Sequence, residues 1–219
     1  MDKYQETFQT WNKIALAYEE QFMDLELYND TYDWFCDSLE RQEASILDIG
    51  CGPGNISRYL LKRNSKLKIT GLDVAPKMVE RAKNHLPNAA FHVMDCRELH
   101  LIKDKFEGII CGFTIPYVSP ADCKKLFSDC YKLLSANGIL YLSFVPGDMQ
   151  QAKVLTGEHG ERMYFYSHLV ENIKGELESN GIIILKIYHK VYEKRDQSEE
   201  IHTIIISKRI DAQILSDVE

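Results

Sequence analysis

From Ser45 onward the chain alternates short apolar runs with segments whose apolar residues recur at helical spacing. That alternation constrains the fold more than any other feature, because strand–helix–strand repeats predict a parallel sheet with helices on both faces. Ile46-Leu47-Asp48-Ile49 is the first strand candidate, and a helix follows over about 54–63 with Ile56, Leu60 and Leu61 on one face. Residues 67–73 predict a second strand, and Pro76 stands at a favourable first position for a helix over 76–85. Further strands are expected at 90–94, 106–111 and 139–145, the last preceded by a helix over 120–135 that closes at Asn137-Gly138. A helix over 167–179 ends at Asn180-Gly181, where a left-handed cap is expected. Two β-rich runs, 182–192 and 201–208, flank a charged link at 193–200 and read as an antiparallel hairpin with a solvated turn. The strand runs are almost continuously apolar, which fits burial on both faces. The expected class is α/β, doubly wound.

Two segments stand outside this pattern. Residues 1–40 read as two helices, the first carrying Trp11, Ile14, Ala15 and Tyr18 on one face. Residues 146–166 form a long polar stretch between a strand and a helix, a length typical of lids and binding loops. The expected organisation is one domain over 1–210, with a helical lid at 1–40, an α/β core at 45–210 and a short tail at 211–219.

Composition removes several function classes. A net charge of −7 disfavours tracking a phosphate backbone or an anionic membrane surface. The longest apolar runs, such as 182–185, fall far short of the ~20 residues that a membrane span needs. Residues 1–12 contain no apolar leader stretch. The six cysteines show no C-x-x-C spacing and lie in apolar segments, so reduced thiols in a cytoplasm are expected, with neither a metal site nor a disulfide framework.

Chemistry is concentrated where the first strands end. In Asp48-Ile49-Gly50-Cys51-Gly52-Pro53-Gly54-Asn55 the glycines allow a tight turn and a close approach of ligand to backbone, ahead of a helix N-terminus. No Gly-Lys-Ser/Thr follows, so this is not a P-loop, and the third glycine comes one place early for the dinucleotide G-x-G-x-x-G. Gly71-Leu72-Asp73-Val74 puts a carboxylate at the end of the second strand, where it can accept both hydroxyls of a ribose. Met94-Asp95-Cys96 puts another at the end of the third, within reach of an adenine amino group. Each acid alone could simply cap the helix that follows it.

Together these residues resemble the class I S-adenosylmethionine-dependent methyltransferases, over about residues 11–208. The resemblance implies a Rossmann-like seven-stranded sheet of order 3-2-1-4-5-7-6 with the last strand antiparallel, S-adenosyl-L-methionine as cofactor and S-adenosyl-L-homocysteine as product. It implies that Asp48 and the Gly50, Cys51 and Gly52 turn hold the methionine part. Asp73 and Val74 would take the ribose, with Met78, Asp95 and Cys96 on the adenine side. Cys111 and Phe113 would close the edge beside them, and Tyr18 resembles the aromatic that covers the cofactor. The implied reaction is in-line methyl transfer to a small-molecule acceptor, in which no catalytic motif is obligatory and none is assigned. The rival readings are a methyltransferase-like binding protein without turnover and a nicotinamide-dependent oxidoreductase.

For the acceptor side, Tyr117, His159, Tyr164 and Tyr166 are the candidates, with His159 or His168 as a base. The alternative is that these histidines are solvated and the tyrosines pack. Thr114-Ile115-Pro116-Tyr117 keeps Pro-Tyr but lacks the rest of the Asp/Asn-Pro-Pro-Tyr/Phe pattern of base-flipping enzymes, so no nucleic-acid substrate is expected.

Overall fold

The computed structural model describes residues 2–148, 152–157 and 160–210. Two helices, α1 (Lys3–Phe22) and α2 (Asn29–Asp37), precede the first strand, β1 (Ser45–Ile49). Then come α3 (Asn55–Arg63), β2 (Lys68–Asp73), α4 (Pro76–His85), β3 (Ala90–Val93) and β4 (Phe106–Gly112). The second half holds α5 (Pro120–Leu133), β5 (Leu134–Phe144), β6 (Lys153–Thr156), β7 (Arg162–Phe165), α6 (Val170–Ser179), β8 (Ile182–Glu193) and β9 (Glu199–Arg209). Seven strands make one sheet in the order β3-β2-β1-β4-β5-β9-β8. The first five are parallel, and β9 runs antiparallel to both β5 and β8. The resemblance implied this order and this reversed last strand.

Alternate residues along each strand feed opposite faces. Leu47, Ile49, Ile109, Leu140, Leu142 and Ile205 pack with Leu126, Phe127, Cys130, Ile173 and Leu177 from α5 and α6. Their neighbours Ile46, Ile110, Tyr141, Ile204 and Ile206 pack with Tyr32 and Phe35 of α2 and Ile56 and Leu60 of α3. Each fully buried side chain of this size contributes roughly 1.5–3 kcal/mol, so both faces of the central strands are held by apolar burial.

Three local features differ from the sequence expectation. Residues 146–166 are not an unstructured loop: β6 and β7 pair there as a separate antiparallel hairpin, Lys153 opposite Phe165. Its strands are only four residues long and barely alternate, so no periodicity marks them. The α5 helix stops at Leu133, and the ladder between β4 and β5 is shifted at Phe106/Gly108, with Asn137 rather than Gly138 in the left-handed region at φ 60°. Asparagine tolerates that conformation because its short side chain can bond locally. Finally, 3₁₀ turns at Cys96–Leu101 and Ile115–Tyr117 follow β3 and β4. The expected left-handed cap after α6 is present at Gly181, φ 78°. No described helix is long and apolar enough to cross a membrane. Residues 211–219, the expected tail, lie outside the described residues.

Candidate functional site

Parallel strands deliver their carboxyl ends to one edge, and there β1, β2 and β3 end on Asp48-Ile49, Asp73 and Val93. Gly50 turns the chain out of β1 at φ 67°. The Thr114 hydroxyl donates to Ile49 O at 2.9 Å, and a Cβ on Gly50 would overlap that hydroxyl. Any side chain here would therefore meet both backbone strain and a clash. Gly54, at φ 85°, starts α3 against Ala82 of α4.

Below this turn Asp48 is 1% exposed. Its Oδ2 accepts from Ser57 Oγ at 2.6 Å, while Oδ1 is the one buried side-chain polar atom among the described residues without a partner. Burial pushes the Asp48 carboxyl up to about 7, against the Ser57 bond that lowers it and with the Asp73 charge that raises it further. Asp73 accepts from Gly52 N at 2.9 Å and Ala75 N at 2.8 Å. Burial still raises it to about 6, since those amide bonds offset only part of the desolvation.

A narrow cavity of about 120 Å³ runs along these strand ends. Asp73, Val74, Met78, Asp95, Cys96 and Phe113 line it, with Gly50 and Gly52, and α1 roofs it through Thr7, Phe8, Trp11 and Tyr18. Asp95 caps the following 3₁₀ turn and holds Arg97, Nη2 to Oδ2 at 2.6 Å. The Arg97 guanidinium lies 3.8 Å from the centre of the Tyr4 ring, and Tyr4 donates to Asp122 at 2.5 Å. These contacts dock the start of α1 over the β3 end. Farther along, Ala15 of α1 is buried against Ala75 and Met78.

Not all expected residues reach this cavity. Cys51 lines the neighbouring chamber, and Cys111, on β4, is fully buried in the core. Tyr117 walls both cavities. Tyr164 lines neither: its backbone N–H bonds Thr7 Oγ1 and Lys3 Nζ lies 5.5 Å from its ring centre. Tyr166 is buried and tied through its backbone to Pro116 O at 2.6 Å. His168 is buried with Nε2 2.9 Å from Ile115 O, so it locks the turn after β4 instead of facing the chamber. His159 lies outside the described residues.

The neighbouring chamber is large, about 1010 Å³. Its walls come from the end of α1 and the start of α2 (Phe22, Tyr28), from Phe113 and Tyr117, from Lys153 and Leu155 of β6, and from Tyr192, Lys194, Glu200 and His202 at the β8–β9 turn. The charged link 193–200 is thus only partly a solvated turn. Sequence reading did not single out Tyr28, Tyr192, Glu200 or His202. One signal was available: an antiparallel last strand begins at the edge where the parallel strands end, and Thr203 indeed pairs with Phe144. The two cavities share Trp11, Tyr18, Gly50, Gly112, Phe113 and Tyr117.

An unpaired buried carboxylate oxygen, a second carboxylate at the strand edge and a cradle closed to any Cβ make an acceptor set suited to a ligand with a cationic end and a hydroxylated sugar. Residues 46–138 match a family model described as a methyltransferase domain. The chain is 36% identical over 106 residues to a malonyl-[acyl-carrier protein] O-methyltransferase of Ilyobacter polytropus, covering 47% of this chain and 38% of that one. It is 31% identical over 115 residues to a trans-aconitate 2-methyltransferase of an Enterobacter species, covering 52% and 44%. The matches thus span less than half the length of these relatives. In fold the chain is similar to a magnesium protoporphyrin IX methyltransferase of Synechocystis solved with bound S-adenosylmethionine, with TM-score 0.70 at 17% identity over 95% of this chain and 98% of that one. The glycine turn and the sheet order thus stand in a chain whose residues 46–138 match a methyltransferase domain and whose fold is that of the solved methyltransferase it resembles.

Proposed function

We propose that the chain transfers a methyl group from S-adenosyl-L-methionine to a small-molecule acceptor, leaving S-adenosyl-L-homocysteine. The observation that carries this reading is the pair of cavities meeting at Gly50, Gly112, Phe113 and Tyr117. The narrow one offers carboxylates and apolar walls in the order an adenosyl group needs, and the wide one leaves room for an acceptor. When bound, the sulfonium supplies an already electrophilic methyl group, so the protein's task is to align the acceptor and exclude water.

In this reading Asp73, beside Val74, accepts the ribose hydroxyls, and Asp95 and Cys96 face the adenine with Met78 beneath. The turn from Gly50 through Cys51 to Gly52, with Asp48 behind it, holds the methionine end. Tyr18 and Trp11 on α1 cover the site, so the helices of 1–40 act as the lid of a single domain over 1–210, and the β6–β7 hairpin closes the acceptor side. Cys111 then acts only by packing in the core. The aromatic walls of the chamber and the net charge of −7 support a small acceptor over a nucleic acid. Six free cysteines support a reducing, cytoplasmic setting.

The test is thermal unfolding with S-adenosylmethionine, S-adenosylhomocysteine and NADH added separately. A ligand at 100 times its Kd stabilises by ~2.7 kcal/mol, which raises the midpoint of a chain this size by roughly 5–10 °C. A shift with both adenosyl compounds and none with NADH is expected. No shift with either adenosyl compound overturns the reading, and a shift with NADH alone favours an oxidoreductase. Acceptor-dependent formation of S-adenosylhomocysteine then separates an enzyme from a binding protein without turnover.

A further inference from the structure

The inner wall of the wide chamber carries a directed hydrogen-bond chain. Tyr28, in the turn before α2, has its hydroxyl 2.6 Å from His202 Nδ1. His202 Nε2 lies 3.1 Å from Glu200 Oε2, and Glu200 Oε1 lies 2.6 Å from Lys194 Nζ. An ionised carboxylate can only accept, so Nε2 carries the imidazole proton and Nδ1 keeps its lone pair. Tyr28 must then donate to Nδ1, which leaves its own oxygen lone pairs for another donor. The opposite tautomer would set a lone pair of Nε2 against the carboxylate. A proton arriving at Tyr28 Oη can therefore pass Tyr28's own proton to His202, while Glu200 steadies the imidazolium that forms.

Position and surroundings favour this use. The His202 ring centre is 4.8 Å and the Tyr28 ring centre 5.4 Å from that of Phe113, which walls both cavities. Burial lowers the His202 pKa, against the Glu200 bond that raises it, which favours the neutral imidazole that a relay starts from. The groups packed round it are Tyr28, Tyr192 stacked at 4.9 Å, Glu200 with Lys194, and, across the ladder, Lys190, whose ammonium is held by Asp30 at 2.6 Å. Of the α3 cations that line the chamber, Arg58 is spent on Met23 O and Asp24, and Lys62 stands beside it. The chamber wall includes the rings of Phe22, Tyr28, Phe113, Tyr117 and Tyr192. Such a surface takes a flat ring by stacking and edge contacts.

Resting on the methyltransferase reading, we propose that Tyr28, His202 and Glu200 form a proton relay that ionises the hydroxyl of a ring-bearing acceptor, a phenol or enol. In that step the acceptor O–H bond breaks and its proton joins Tyr28 Oη. The Tyr28 proton moves to His202 Nδ1, and the acceptor oxygen keeps the electron pair that a methyl carbon requires. Tyr28 is the group that touches the acceptor; His202 and Glu200 act through it.

The experiment uses the full chain saturated with S-adenosylhomocysteine, so its failure is separate from failure to bind the cofactor, which the unfolding assay reads beforehand. 4-Nitrophenol is titrated at a pH below its own midpoint in water, with 4-nitroanisole and 4-nitroaniline as matched rings without an acidic hydroxyl. Binding is followed by calorimetry and ionisation by the nitrophenolate absorbance band. The wild type is expected to bind 4-nitrophenol most tightly and to develop the band. His202→Gln keeps an acceptor for Tyr28 and a donor for Glu200, so it is expected to bind while the ionised fraction falls at least ~tenfold, about 1.4 kcal/mol. Tyr28→Phe keeps the ring and is expected to lose the band as fully, and stands in if His202→Gln fails to fold. An undiminished band in both variants overturns the relay. Tighter binding of 4-nitroaniline, or no binding of any ring, overturns the phenol or enol class.

Discussion

The two halves of the cleft are built in different ways. In the half proposed for the cofactor, the floor is built from groups within a few residues of a parallel strand end, Asp48 to Asn55 after β1, Asp73 and Val74 after β2, Asp95 and Cys96 after β3, and α1 adds only the roof. Ladder register sets their mutual spacing, since Asp48 pairs with Gly71 and Asp73 with Val93. The acceptor half is gathered from α1, the start of α2, the turn after β4, the β6–β7 hairpin and the β8–β9 turn. There, side-chain packing between distant segments sets the geometry. Backbone pairing thus holds the half proposed for the cofactor, and the more replaceable contacts hold the half proposed for the acceptor.

Substitutions can break or sharpen that contrast. The largest effect is expected from Gly50→Ala, which adds backbone strain and a clash with Thr114. Calorimetry should show S-adenosylmethionine affinity falling ~100-fold or more, equivalent to at least ~2.7 kcal/mol. Asp73→Ala removes one carboxylate and leaves the Gly52 and Ala75 amides without it. It should weaken the cofactor by at least ~tenfold, and an unchanged affinity would remove Asp73 from the site.

Asp48→Asn should separate function from stability. The folded carboxyl titrates at about 7, against ~3.9 in an unfolded chain. Between those values the folded state holds a proton that the unfolded state has released, so this group's contribution is full below the unfolded value and is lost as pH rises through about 7. Near pH 8 the Asn variant should therefore be more stable than the wild type, on the order of 2 kcal/mol, with the gain shrinking towards pH 5 and cofactor affinity reduced throughout. Denaturant unfolding at both pH values reads it, and a loss of stability at the higher pH would contradict the assignment. The smallest effect belongs to the acceptor side. Thr10→Val removes the bond from Thr10 Oγ1 to Arg162 O, should cost about 1 kcal/mol, and should leave the isolated cofactor affinity within a few-fold.

Legibility in the sequence follows the same division. The strands of the main sheet, Pro76 at the start of α4 and the glycine turn were readable because each depends on local period or local backbone conformation. The 3₁₀ turn at Cys96–Leu101 was not, since Asp95 as a cap looks the same ahead of any helix. The β6–β7 hairpin was hidden by strands too short to show a period. His202 and Glu200 were hidden for a longer-range reason. Nothing beside them in the chain distinguishes a solvated turn from a cavity wall, and only the reversed direction of β9 brings them to the ligand edge. His168, by contrast, looked exposed at a helix start and is instead a buried brace on Ile115 O.

The attachment of α1 has a kinetic consequence. That helix contributes Trp11 and Tyr18 to both cavities, and Thr7 and Thr10 bind it to β7. If α1 is the lid of the proposed function, lifting it to exchange the cofactor would also uncover the acceptor chamber and pull on the hairpin. Both products would then depart through one opening event, with one rate constant. If that event limits turnover, as lid opening does in many enzymes, acceptors of differing fit will spread widely in KM and hardly at all in kcat.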